Sequence, residues 1–449
     1  MIFLWALSGA ACSSEPPEGE NDDGTSWDVV ADTDGASDAP VLEDVSTDSP
    51  GDSDSGPASD STASDAPAAD KIAPHPDAHP WCVEGSPVFS IPAEETAWTS
   101  QGFDRMAQVV VPGGGTIDII AQDQVTDEMI VRARNIILFF LTDVPGSEYG
   151  ADKTAVANKM AEQEALLMLP NGFHQEGNEP NLPGQPLYHD EMTVEGSDWY
   201  MNNNFEHRDA SFEEIFHLVH DAGIGTFMPG ALPDYQAELL AEAKAAIADG
   251  RWGIPVDPGV QDWLDELEAE DSLAQEYIAS VIDSYYGYWG AWTEAPGGMW
   301  GIYIAKTREE VAQKDPAGKA LLEKFLSPWL TYDAWISTSL QGQFSMTFDA
   351  QTPYTHKSQY LVNARLTGSN GSSLKGNGQD NVLRGNVGNN TIDGVGGHDT
   401  VVYCQLRSAY TVDKDGGGFI VNGPDGIDTL KNIESVHFLD GPVPAADLK

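Results

Sequence analysis

Basic residues and cysteines are scarce in this sequence, and no apolar run is long. Lysine and arginine together number 22 against 72 aspartates and glutamates, for a formal net charge of −50. A chain that negative repels phosphate backbones, which excludes nucleic acid as a partner and favours cations, divalent metals among them. Three cysteines in 449 residues do not make a disulfide scaffold. No stretch reaches the roughly eighteen apolar residues that a spanning helix needs, so none is expected. The length allows two ordinary domains.

Residues 1–11 are short and apolar and run into Leu7-Ser-Gly-Ala-Ala-Cys12. This resembles a bacterial lipoprotein signal, which implies lipidation of Cys12 and a membrane contact through that anchor alone. Gly9 stands where the family prefers leucine, and an ordinary cleaved secretory peptide is the alternative. Both imply export, to the cell surface or outer membrane as a lipoprotein or into the medium. Residues 13–80 are almost entirely Ser, Asp, Glu, Pro, Ala and Gly. They have too little apolar surface to offset their ordering entropy, and read as a disordered, self-repelling linker. Cys82 and Cys404, at the two ends of the remaining chain, could pair in an exported protein.

From residue 81 to 362 helical patterns mix with short strands. Helices are expected at 127–140, 152–166, 212–222, 235–248, 271–286 and 319–325, with a strand at 187–194. The 212–222 segment is the most informative. At 100° per residue Phe212, Ile215, Phe216, Val219 and Ala222 share one apolar face. Glu213, Glu214, His217, His220 and Asp221 fall in a stripe roughly 120° wide on the other side. No lysine or arginine lies in that stripe, so five titratable groups need a cation over them. A plainer reading is that Ser211 and Glu214 form a capping box and the rest is a solvated acidic face.

The run Glu213-Glu214-Ile-Phe-His217 resembles the HExxH helix of zincin metallopeptidases, with Glu in place of the first His. Glu276-Tyr-Ile-Ala-Ser-Val-Ile-Asp283 resembles the helix that supplies the third ligand in anthrax lethal factor-like members. The resemblance implies Glu213, His217 and Glu276 as metal ligands and Glu214 as the general base on a metal-activated water. His220 and Asp221 offer alternative ligands: His217 with Asp221, or Glu213 with His217 and His220. A carboxylate in place of an imidazole makes the site more anionic, weakens the metal as a Lewis acid and favours an ion harder than Zn²⁺.

Near the C-terminus Leu374, Leu383, Ile392 and Val401 recur every nine residues, with Ser372, Asn381, Asn390 and Asp399 two places before each. The text GNGQDNVLRGNVGNNTIDGVGGHDTVVY resembles the RTX (haemolysin-type) nonapeptide repeat. That implies a parallel β-roll over 363–449 with a β-rich cap, and Ca²⁺ held near Asn381, Asn390, Asp399, Asp380 and Asp393. Only Asp399 keeps the family's aspartate, so an asparagine-laddered roll without calcium is the alternative.

The expected fold class is therefore α+β, a helix-rich zincin-like domain and a short β-roll behind a disordered tether. The expected function is an exported calcium-binding protein carrying a metal-dependent peptidase domain that acts on peptides or proteins. The alternative is a non-catalytic calcium-binding surface or adhesion module whose middle domain binds a partner.

Overall fold

The computed structural model describes residues 76–448 apart from 83, 84, 176, 178, 203, 204, 206, 207 and 227. The expected export signal, Cys12 and residues 13–75 of the expected linker lie outside the described residues. The chain is mixed α and β, and among the described residues no helix is long and apolar enough to cross a membrane.

The first sheet has five strands in sequence order: β1 (Phe89–Ser90), β2 (Phe103–Val110), β3 (Thr116–Gln122), β4 (Leu166–Leu169) and β5 (Gln185–Pro186). β1, β2 and β3 pair antiparallel, whereas β3–β4 and β4–β5 are parallel. Alternation along the strands sends Ala107, Val109, Ile117, Ile119, Leu167 and Leu169 into the main core. Met106, Ile120, Leu166 and Met168 close a small second core on the opposite face with Ile91 and Phe103.

Helix α1 (Asp127–Leu141) packs against this sheet; Thr126 caps it by accepting from the Met129 N–H, and Asp127 and Glu128 suit its N-terminal dipole. α2 (Thr154–Glu162) follows. α3 (Ser211–Val219) is buried along its whole length, and so is α6 (Leu273–Tyr285), which packs against it. Between them lie α4 (Pro233–Ala248) and α5 (Val260–Ala269), and α7 (Arg308–Lys314) and α8 (Pro316–Glu323) follow α6; shorter helices occur at Thr96–Thr99, Asp198–Asn202 and Thr355–Ser358.

Several expectations are corrected here. Residues 187–194 are not a strand: the sheet ends at Pro186 and a 3-10 turn spans His189–Glu191. The capping box of Ser211 and Glu214 does not form, and Ser272 does not cap α6. Ser211 Oγ accepts from Arg132 Nη1 at 2.7 Å instead, and Ser272 Oγ donates to the Leu267 carbonyl at 3.3 Å. The acidic stripe is not solvated either, because α3 lies inside the fold. Its helix also runs further than Gly223, continuing as a π turn over His220–Gly225. It stops where Gly225, at φ +107°, passes so close to Gly230 that a side chain would not fit.

The C-terminal strands form two six-stranded sheets that take turns along the chain. β6 (Ala334–Ile336), β8 (Asn363–Leu366), β10 (Val382–Arg384), β12 (Thr400–Val402), β16 (Ser435–Phe438) and β17 (Gly441–Pro444) make one. β7 (Gln343–Ser345), β9 (Ser373–Lys375), β11 (Thr391–Asp393), β15 (Gly426–Lys431), β14 (Gly418–Gly423) and β13 (Thr411–Asp415) make the other. Leu374 lies beside Ile392 and Leu383 beside Val401, all buried. Neighbours in a sheet are thus two nine-residue units apart, and each unit delivers its apolar residue to the opposite sheet from the one before. Both sheets begin before the repeat text, at β6 and β7, and end in antiparallel strands. Cys82 and Cys404 are joined in a disulfide. It fixes the Pro80–Cys82 turn near β10, where Arg384 donates to the Trp81 carbonyl at 3.2 Å.

Candidate metal centre

The acidic side of α3 faces α6 in the interior. Glu213, Glu214 and Glu276 are each 4% exposed and His217 is 1% exposed. The His217 ring stands between two carboxylates, with Nδ1 3.5 Å from Glu214 Oε2 and Nε2 3.4 Å from Glu276 Oε1. Both contacts are too loose to close a hydrogen bond, and neither ring nitrogen has another partner. A buried imidazole with two unbonded nitrogens is costly unless something else completes it.

One donor atom from each of Glu213, His217 and Glu276 lies within 4.8 Å of the other two. Two donors about 2 Å from one ion stand at most about 4 Å apart, so these atoms are near coordination distance without being at it. Two carboxylates and one imidazole are a donor set that zinc or a harder divalent ion accepts.

Burial shapes the protonation of the group. Burial alone would lower the His217 pKa, but Glu276 first, then Glu214 and Glu213, outweigh it and raise it. Burial pushes the Glu276 carboxyl up despite His217, and pushes Glu213 up despite Arg208. The group therefore holds protons that a bound cation would displace.

Neighbouring residues position these side chains. Glu214 Oε2 accepts from Gln185 Nε2 at 2.7 Å, which ties it to edge strand β5. Glu191, in the turn after that strand, has its carboxyl raised to about 8 by burial and then by Glu214. The chain entering α3 is anchored by buried Arg132 of α1, which donates to Glu195 at 2.9 Å and to Asp209 at 2.6 Å. Tyr332 Oη also donates to Glu195, at 2.7 Å. Arg208, just ahead of that anchor, bonds Glu213 through both terminal nitrogens.

The structure thus brings Glu213, Glu214, His217 and Glu276 together and leaves two candidates out. His220 Nε2 pairs with Gln236 Oε1 of α4 at 2.6 Å, and Asp221 accepts from Thr226 Oγ1 at 2.5 Å. Both lie in the π turn that follows Val219, where each has a partner of its own.

The calcium candidates are divided between the two sides of the C-terminal sheets. On one side Asn381 N donates to Asp399 Oδ1 at 2.8 Å, and Asp399 N donates to Glu434 Oε2 at 2.9 Å. On the other, Asn390 N donates to Asp428 Oδ1 at 2.9 Å, and Asn390 Nδ2 donates to the Ser372 carbonyl at 2.9 Å. Asp380 is exposed and accepts from His398 N at 2.7 Å; Asp393 accepts from Val395 N and Asn432 Nδ2. Asp399 Oδ2 is buried without a hydrogen-bond partner. Its carboxyl is raised to about 7, by burial and then by Glu434 and Asp380.

Arg208, Gln185 and Asp428 were not singled out from sequence. Arg208 carried one usable signal, as the last basic residue before an acidic helix. Gln185 and Asp428 reach their partners only through the folded arrangement. No family model matches this chain, and no curated protein matches it in sequence.

Proposed function

We propose that this chain is an exported, metal-dependent peptidase of zincin-like type, with a C-terminal β-roll of RTX type. One observation carries the reading: buried His217, with both ring nitrogens unbonded, lies among Glu213, Glu214 and Glu276. Glu213, His217 and Glu276 would hold a divalent ion such as Zn²⁺, which would supply a Lewis acid for a carbonyl and for water. Glu214, steadied by Gln185, takes the proton of the attacking water and returns it to the leaving amine as the peptide bond breaks. The residues around it exclude solvent and strengthen each electrostatic contact.

A second reading is supported by Asp399, whose buried oxygen lacks a partner. In it the protein is a calcium-binding surface module, the middle domain binds a partner, and nothing is cleaved. Metal content of the purified chain separates the two. One transition metal per chain, lost in the Glu213→Gln/His217→Ala double variant, supports the peptidase; calcium alone supports the module. Glu214→Gln should then lower cleavage of casein or a peptide library by about 10²-fold or more, with metal retained. Equal rates would remove Glu214 from the chemistry.

A further inference from the structure

Replacing a histidine of an HExxH-like helix with Glu213 creates a charge problem. With His217 neutral, two ligand carboxylates give the group a charge of minus two, which tightens its hold on hard cations and blunts a bound ion as a Lewis acid. The structure holds a counterweight. Both terminal nitrogens of Arg208 bond Glu213 Oε2, and Nη1 also lies 3.9 Å from Asp283 Oδ2. Met299 Sδ is 3.7 Å from Nη1, and the Trp300 ring lies 4.8 Å from the guanidinium. Met299 and Trp300 stand at φ 51° and 50°, left-handed conformations that cost on the order of 1 kcal/mol or more each. Both residues that cover the guanidinium thus stand in left-handed backbone. Arginine stays charged at every accessible pH, so its contribution does not titrate away.

We infer that Arg208 is the fixed counter-cation of the metal centre: by bonding Glu213 it holds the group at minus one, the charge of a two-histidine, one-carboxylate site, and keeps its affinity for hard divalent ions low. This rests on the proposed metal centre.

The test is the affinity of the full chain, stripped by a chelator, for Zn²⁺ and Mn²⁺ in competition with a chromophoric chelator. Arg208→Gln should bind Zn²⁺ at least tenfold tighter, because one unit charge beside a dication is worth on the order of tenfold even at the dielectric of bulk water. Mn²⁺, the harder ion, should gain more, and Arg208→Lys should stay within about threefold of wild type for both ions. If wild type binds Zn²⁺ and Arg208→Gln differs from it by less than about threefold, the inference falls while the metal centre stands. If only Arg208→Gln binds, the inference holds and the metal-dependent function of the wild-type chain falls. If neither binds, both fall. Should Arg208→Gln fail to fold, Arg208→Met takes its place. Recovery of its fold by Zn²⁺ supports the inference, and no recovery with either variant counts against it.

Discussion

The α3–α6 centre and the C-terminal sheets solve the burial of polar side chains in opposite ways. In the sheets the chain supplies its own partners. Asn381 and Asn390 accept from the N–H of Asn377 and Asn386, both at 2.9 Å, and their own N–H groups reach Asp399 and Asp428. Glycine makes that closeness possible: a Cβ on Gly376 would lie 2.3 Å from Asn381 Oδ1. At the α3–α6 centre His217 meets only carboxylates, at distances that close no hydrogen bond. The sheets are thus largely self-sufficient, with Asp399 Oδ2 and Arg365 Nε as exceptions among the described residues, whereas the centre needs a proton or a cation from outside. A region that is incomplete by itself is where function is expected, since natural cores leave few buried polar groups unsatisfied.

The largest effect should come from breaking the self-sufficient region. Asn390→Ala removes the acceptor for Asn386 N and the donor to the Ser372 carbonyl. Leaving such groups buried and unpaired should cost about 3 kcal/mol in a denaturant titration. A loss under about 1 kcal/mol would mean that water replaces the ladder and that the contrast is false.

The same operation at the helical centre should have the opposite sign. Glu276→Gln keeps the shape while removing a carboxylate that burial disfavours. In chelator-treated protein at pH 8 it should stabilise by about 2 kcal/mol, with metal binding lost; destabilisation of that size would make Glu276 a structural partner of His217.

This contrast also marks what could be read in advance. The nine-residue period was legible because each unit is local, with one apolar residue and one glycine turn per step. Helices with clear periodicity were legible for the same reason, and Glu213, His217 and Glu276 emerged from spacing plus a resemblance. Non-local facts were not. The parallel pairing of β3 with β4, and Arg132 taking Ser211 from its capping box, depend on residues far apart in sequence. The burial of the acidic stripe depends on α6 packing over it. His220 and Asp221 fall in a π turn, where the 100° period on which the stripe was drawn no longer holds.

The smallest effect, and the one that separates the regions most directly, is where each titrates. Asp399 is raised from 3.8 to about 7, so the folded chain binds more protons than the unfolded chain across that window. Its contribution to stability is present in acid and is lost as pH climbs from about 4 to about 7. His217 is raised from 6.5 to about 10, so its contribution is complete below 6.5 and is lost as pH rises toward 10. Other buried groups overlap these ranges, so each window is read as a difference between wild type and variant. Asp399→Asn should flatten the melting profile of chelated protein between about 4 and 7 and leave the alkaline limb intact. His217→Gln should flatten the alkaline limb and leave the acid one. Each change should be on the order of 1 kcal/mol. Adding Zn²⁺ to wild type should flatten the His217 limb alone, because ligand binding requires that imidazole to be neutral at every pH in the window. If Zn²⁺ instead flattened the Asp399 limb, the cation would belong to the sheets, and the helical centre would lose its claim to it.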